Sequence, residues 1–239
     1  MIDAAERLSK RIEDGIRSSM RGRLGRSGVP TARWARTLAD LLEKVVATGG
    51  PALADVLADA LPRAAEHIDE ITLAVTGAGW LGGGTPSVER TLSELIASAQ
   101  QEILVTAYSV TPGSERIWDE IERALATGIR TTIVVDRIAG QCEEARLLLD
   151  RLARSYPETL ALYDFISDDA GSGLHAKVLV VDRRLALVGS ANLSHRGMVT
   201  AHEMAAVVQG PTADRVAARV DALIGSPFVL RVSGSRHAL

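Results

Sequence analysis

The sequence predicts an α/β protein, a sandwich of helices around a mixed sheet, with a helical appendage at its N-terminal side. Three observations lead there. From residue 71 onward, short β-branched runs alternate with longer segments of helical period, the pattern of repeated strand–helix–strand units. Two apolar runs, 178–181 and 185–188, are separated by only three polar residues, which adds an antiparallel pair to that sheet. Residues 1–67 instead carry helical spacing, interrupted by a loop rich in Gly and Arg.

Length and composition narrow the classes. At 239 residues and 46% hydrophobic, the chain can fill one large core. Aromatic residues are only 3%, so Leu, Val, Ile and Ala must fill it. The net charge of −3 gives no whole-chain nucleic-acid signal. The charge is uneven, however: residues 1–36 hold nine Lys/Arg against four Asp/Glu, so the basic excess sits at the N-terminal side. The single cysteine, Cys142, rules out an internal disulfide and a Cys-based zinc site, and fits a reducing cytosol. No apolar run approaches the ~20 residues that span a bilayer. The first residues are charged throughout and do not read as a signal peptide. The expectation is a cytoplasmic protein with no membrane segment.

Taken in order, residues 2–20 place Ile2, Ala5, Leu8, Ile12 and Ile16 on one helical face. Residues 21–30, RGRLGRSGVP, read as a loop: a solvated connector or a basic arm touching phosphates. Helices are expected over 31–48 and from Pro51 to about Ala65. Residues 71–76 form a strand, and the glycine-rich 77–86 connects it to a helix over 88–101. GAGWLGGGTP matches neither a P-loop nor a strict GxGxxG. A strand over 102–110, a helix over 114–127, a strand over 130–136, a helix over 143–155 and a strand over 160–165 follow. Beyond 192 come a short polar segment (194–200), a strand (202–208), a helix (212–224) and a last strand (228–232). Residues 233–239 read as a disordered tail. The expected division is thus 1–67, 68–232 and 233–239.

The chemistry concentrates in LHAKVLVVDRRLALVGSAN, residues 174–192. Alternation along a strand puts His175 and Lys177 on one face. If the extended backbone persists past Val188, Ser190 and Asn192 share a face too. Gly189 suits a bend or a close backbone approach. One imidazole, one ammonium, one hydroxyl and one amide together suit an oxyanion such as phosphate, with the His left for proton or nucleophile chemistry. Singly, each of these residues is more simply a satisfied structural group. Together the spacing HxK(x4)D(x6)GSxN resembles the HKD signature of the phospholipase D superfamily, with every defining position present.

That resemblance, covering roughly residues 71–232, implies a phospholipase D-like fold and phosphodiester cleavage or transfer without metal or other cofactor. It makes His175 the nucleophile that attacks phosphorus. Lys177, Ser190 and Asn192 would hold the non-bridging oxygens, and Asp182 would act structurally at the hairpin. In small bacterial nucleases of the superfamily an acidic residue about eleven positions past the Asn orients the imidazole. Here that position is Glu203, which is otherwise an ordinary strand-end residue. Ser109, Ser194, His195 and Arg196 are candidate substrate contacts; for His195 and Arg196 the alternative is a plain solvent-facing turn.

In-line displacement needs a nucleophile on one side of phosphorus and a proton donor on the other. His67, His195, His202 and His237 are not followed two residues on by Lys, so the chain holds one motif. A twofold homodimer with one His175 on each side supplies the second group, as in small single-motif members. The compact single-motif form with a basic N-terminal region favours a nuclease, with DNA as partner. It is also similar to the phospholipase D-like component of the DISARM anti-phage system, which implies other defence proteins as neighbours. A catalytically silent nucleic-acid-binding or assembly module, and a lipid head-group hydrolase or transferase, remain as alternatives.

Overall fold

The computed structural model describes residues 69–80, 84–167 and 172–232. The chain divides between Ile68 and Asp69, and all that follows belongs to the second unit. The helices expected within 1–67, the basic loop 21–30 and the tail 233–239 lie outside the described residues.

Eight strands form one sheet. They are β1 (Glu70–Thr76), β2 (Glu102–Ala107), β3 (Arg130–Asp136), β4 (Leu160–Phe165), β5 (Lys177–Val181), β6 (Leu185–Gly189), β7 (Glu203–Gln209) and β8 (Val229–Arg231). Their order is β1-β7-β6-β5-β2-β3-β4-β8. The β2–β3 and β3–β4 pairs are parallel, and the other pairs are antiparallel. The helices are α1 (Val88–Ala97), α2 (Glu115–Ala126), α3 (Glu143–Ser155) and α4 (Pro211–Ile224).

Alternation along the central strands divides the core. Ile103 and Val105 of β2 and Leu179 and Val181 of β5 join α1–α3 through Leu92, Ile96, Ile121, Leu149 and Leu152. Leu104 and Val180 face the other way, with Ala186, onto Ala213, Ala217 and Val220 of α4. A strand covered on both faces reads as an unbroken apolar run, which is what these strands show. Among the described residues no helix is long and apolar enough to cross a membrane.

Two element ends differ from expectation, each because a side chain takes over the backbone bonds. The helix expected to residue 101 ends at Ala97, because the Asp182 carboxylate accepts the N–H groups of Gln100 (2.9 Å), Gln101 (2.8 Å) and Glu102 (2.9 Å). β2 ends at Ala107 rather than at 110. The Gln141 amide accepts from Val110 N (3.0 Å) and donates to the Tyr108 and Asp136 carbonyls. The polar segment after Asn192 contains a wide turn over Arg196–Thr200, closed by Ala201 N donating to Arg196 O at 2.8 Å.

Candidate active site

Of the signature residues, His175, Lys177, Ser190 and Asn192 lie where β5 begins and β6 ends, and Asp182 lies at the hairpin that joins the two strands. In the three-residue connection between the two strands Asp182 and Arg183 have φ of 50° and 54°, a left-handed pair closed by Arg184 N donating to the Val181 carbonyl at 3.0 Å. Such a pair normally calls for Asn or Gly. Here side chains compensate: Asp182 holds the three N–H groups described above. The Arg183 guanidinium meets Glu102 (2.6 Å), Asp214 (3.5 Å) and Asp221 (2.7 Å). Those carboxylates raise its already high pKa further, the Asp221 hydrogen bond most. The hairpin is thereby tied to the start of β2 and to α4.

At the opposite end, register places Lys177 across from Gly189, and Gly189 across from Ala205. A Cβ on Gly189 would lie 2.6 Å from the Ala205 Cβ and 2.8 Å from the Met204 carbonyl oxygen, so β6 and β7 can approach there only with glycine.

His175 lies just before β5 and is exposed. Its approach is fixed by Asp136, a buried carboxylate at the end of β3 that accepts Leu174 N at 2.7 Å. Thr106 of β2 accepts from Val178 N (3.1 Å) and donates to the Ala176 carbonyl (2.9 Å). The imidazole packs against Tyr108, ring centroids 4.5 Å apart at 53°. Lys177 is 6% exposed. Its Nζ donates to the His175 carbonyl at 2.7 Å and stands 4.9 Å from the Tyr108 ring centroid. Burial lowers the ammonium pKa below the ordinary lysine value, while Glu203 and Asp136 pull it back up. Two nearby carboxylates thus offset part of the cost of placing an ammonium where it is poorly solvated.

Ser190 donates from Oγ to Glu203 Oε2. The same Oγ accepts from Met204 N at 3.3 Å, and Ser190 N donates to the Met204 carbonyl at 3.2 Å. Among the described residues Glu203 is thus hydrogen-bonded to Ser190, and the imidazole makes its ring contact with Tyr108. Asn192 is half-buried, with Oδ1 buried and without a hydrogen-bond partner, an orphan acceptor of a kind that folded chains seldom keep without reason. Gly197 lets the following turn close over it, since a Cβ there would sit 2.3 Å from the Asn192 carbonyl oxygen. An open cleft is lined by Asn192, Ser194, Arg196, His202 and Glu203 among others.

The candidate contacts separate. Arg196 is exposed at the cleft. Ser194 is buried and accepts Gly197 N at 3.1 Å, so its hydroxyl serves the turn. His195 is exposed, with its N–H on the Pro112 carbonyl and its side chain against Gly113. Ser109 is half-buried just beyond β2. Sequence reasoning missed Tyr108 and Asp136 as parts of the site. Tyr108 stood in plain view, at the end of a predicted strand in a chain with three Tyr.

Comparison with known proteins agrees with this geometry. Residues 92–224 match the family described as cardiolipin synthase, phospholipase D-like domain. DISARM protein DrmC of Bacillus paralicheniformis is 36% identical over 120 residues, covering 50% of this chain and 48% of that protein. This chain therefore spans about half the length of that relative. Three solved structures share the fold. Nuc of Salmonella typhimurium, a phospholipase D family member, has a TM-score of 0.56 at 20% identity, covering 70% of this chain and 99% of Nuc. NucT of Helicobacter pylori has 0.53 at 17%, covering 69% and 99%. Phosphatidylserine synthase of Haemophilus influenzae has 0.52 at 16%, covering 70% of this chain and 40% of that one. A family match over more than half the chain, residues 92–224, places this protein in the phospholipase D-like family.

Proposed function

We propose that this chain is a metal-independent phosphodiesterase, a nuclease that cuts DNA through a phosphohistidine on His175. The observation that supports this most is the grouping at one sheet end: an exposed imidazole beside a buried ammonium, with a hydroxyl and an amide on the adjoining strand end. His175 attacks phosphorus, forming a P–N bond as the P–O bond to the leaving strand breaks. Lys177, Ser190 and Asn192 stabilise the non-bridging oxygens as charge builds there. Glu203 holds Ser190; to set the imidazole tautomer its carboxylate must turn to a ring nitrogen of His175 when substrate binds. Water then attacks the phosphohistidine, the P–N bond breaks, and a phosphate monoester leaves.

The departing alkoxide needs a proton from the side opposite His175. We assign that proton to the partner subunit's His175 in a twofold homodimer, because the chain has one HxK pair. The DISARM relative supports a role in defence against foreign DNA, beside other proteins of such a system. The test is incubation with single- and double-stranded DNA, RNA and phosphatidylcholine vesicles in EDTA. Nucleic acid should be cut despite the chelator, and His175→Ala should lose activity by on the order of 10³-fold or more. Lipid turnover alone would sink the nuclease reading, and DNA binding without cleavage would favour a silent binding module.

A further inference from the structure

The glycine-rich stretch after β1 has no part in the phosphoryl chemistry, yet it carries an aromatic ring to His202, a residue of the cleft wall. Trp80 is 44% exposed in a chain with only three Trp, three Tyr and two Phe. Its backbone is pinned. Trp80 N donates to the Gly77 carbonyl at 3.1 Å, and Gly79 N donates to His202 Nε2 at 3.1 Å. Gly77 has φ of +102°, and a Cβ on it would lie 2.8 Å from the Ala201 carbonyl oxygen. A Cβ on Gly79 would lie 2.8 Å from His202 Nε2. The turn Ala78–Trp80 is therefore seated on residues 201–202 at a distance that only glycines permit.

The Trp80 and His202 rings meet edge to face, centroids 6.2 Å apart at 64°. Among the described residues this is the one ring contact Trp80 makes. His202 itself lines the cleft with Asn192, Arg196 and Glu203. An indole whose backbone is hydrogen-bonded at Gly77 and His202, next to a residue of the cleft and only edge-paired, offers a face to a flat ligand. Tyr108 differs, because His175 and Lys177 already pack against it.

We propose that Trp80 is a stacking platform for an unpaired nucleobase flanking the scissile phosphate, so that the substrate is a single strand. The substrate class rests on the nuclease reading above. A base within a duplex is stacked on both sides and has no face to give, whereas a single strand presents one. Exposed Arg196 at the same cleft suits a flanking phosphate. It would repel the quaternary ammonium of a choline head group, the other ligand that prefers an aromatic face.

The test measures binding of labelled oligonucleotides to the full chain carrying His175→Ala, which keeps the strand intact. A single strand, the same strand with central abasic residues, and a duplex are compared. Trp80→Ala should weaken single-strand binding about tenfold, the size of one base–aromatic stack, and Trp80→Phe should restore most of it. The abasic strand should bind about tenfold more weakly before any Trp80 change and lose nothing further with Trp80→Ala. Duplex binding should not depend on Trp80. Unchanged single-strand affinity, equal losses on intact and abasic strands, or Trp80 dependence only on phosphatidylcholine vesicles would overturn the platform. Trp80-dependent strand binding by a parent chain that cuts nothing would refute the nuclease reading and leave the platform standing. Cleavage with Trp80-independent affinity would refute the platform alone.

Discussion

Lys177 sets the pH behaviour expected of the site. Burial lowers its pKa while Glu203 and Asp136 oppose the shift. If the ammonium stabilises the transition state, activity should fall on the alkaline side at a pH below the ordinary lysine range. Lys177→Arg, which stays charged, should be less active but lack that limb in a kcat/KM profile. The sign for folding follows from proton counts. Between the lowered native pKa and the unfolded value of about 10.5, the unfolded chain binds more protons. This residue's contribution therefore makes the fold more stable as pH rises through that window. The motif's residue types and order were readable from sequence because they lie within 18 positions. Asp136 and Tyr108 were not, since they reach His175 from the ends of β3 and β2, and no local pattern reports such a meeting.

Among the elements, the β5–β6 hairpin depends on Asp182. Its carboxylate caps three N–H groups of the segment entering β2, and its own backbone is left-handed. Asp182→Ala removes the acceptor, strands the N–H groups and keeps the unfavourable φ. Urea unfolding should show a loss of about 2–3 kcal/mol, and Asp182→Asn should recover part of it. Activity per folded molecule should change far less than the folded fraction. Most strands and helices were legible from period and β-branching. The ends of α1 and β2 were not, because Asp182 and Gln141 replace backbone bonds from 82 and 31 positions away. Propensity carries no trace of such bonds.

For the whole molecule, the fold class followed from alternating elements and the close apolar pair, but the strand order did not. β1 pairs with β7, Glu70 opposite Gln209 and Thr76 opposite Glu203. This puts the Trp80 turn beside the cleft although the two are far apart in sequence. The proposed proton donor to the leaving strand comes from a second subunit. Wild-type chains mixed with excess His175→Ala chains should lose most of their activity per wild-type subunit, read by cleavage after subunit exchange. Substantial activity in a strictly monomeric preparation would rule out the shared site.

The hydrogen bonds of Lys177 and Ser190 bear on recognition. The Lys177 ammonium already donates to the His175 carbonyl, and the Ser190 hydroxyl to Glu203. Under the proposed function an arriving phosphate would enter by exchange, taking donors from internal acceptors. Each swap gains little net free energy, because one good bond replaces another. A bare phosphate group is then a weak ligand, and discrimination passes to whatever the substrate carries on either side of it. Under the proposed function the HKD residues would then recognise a transition state, and the outlying surface the molecule.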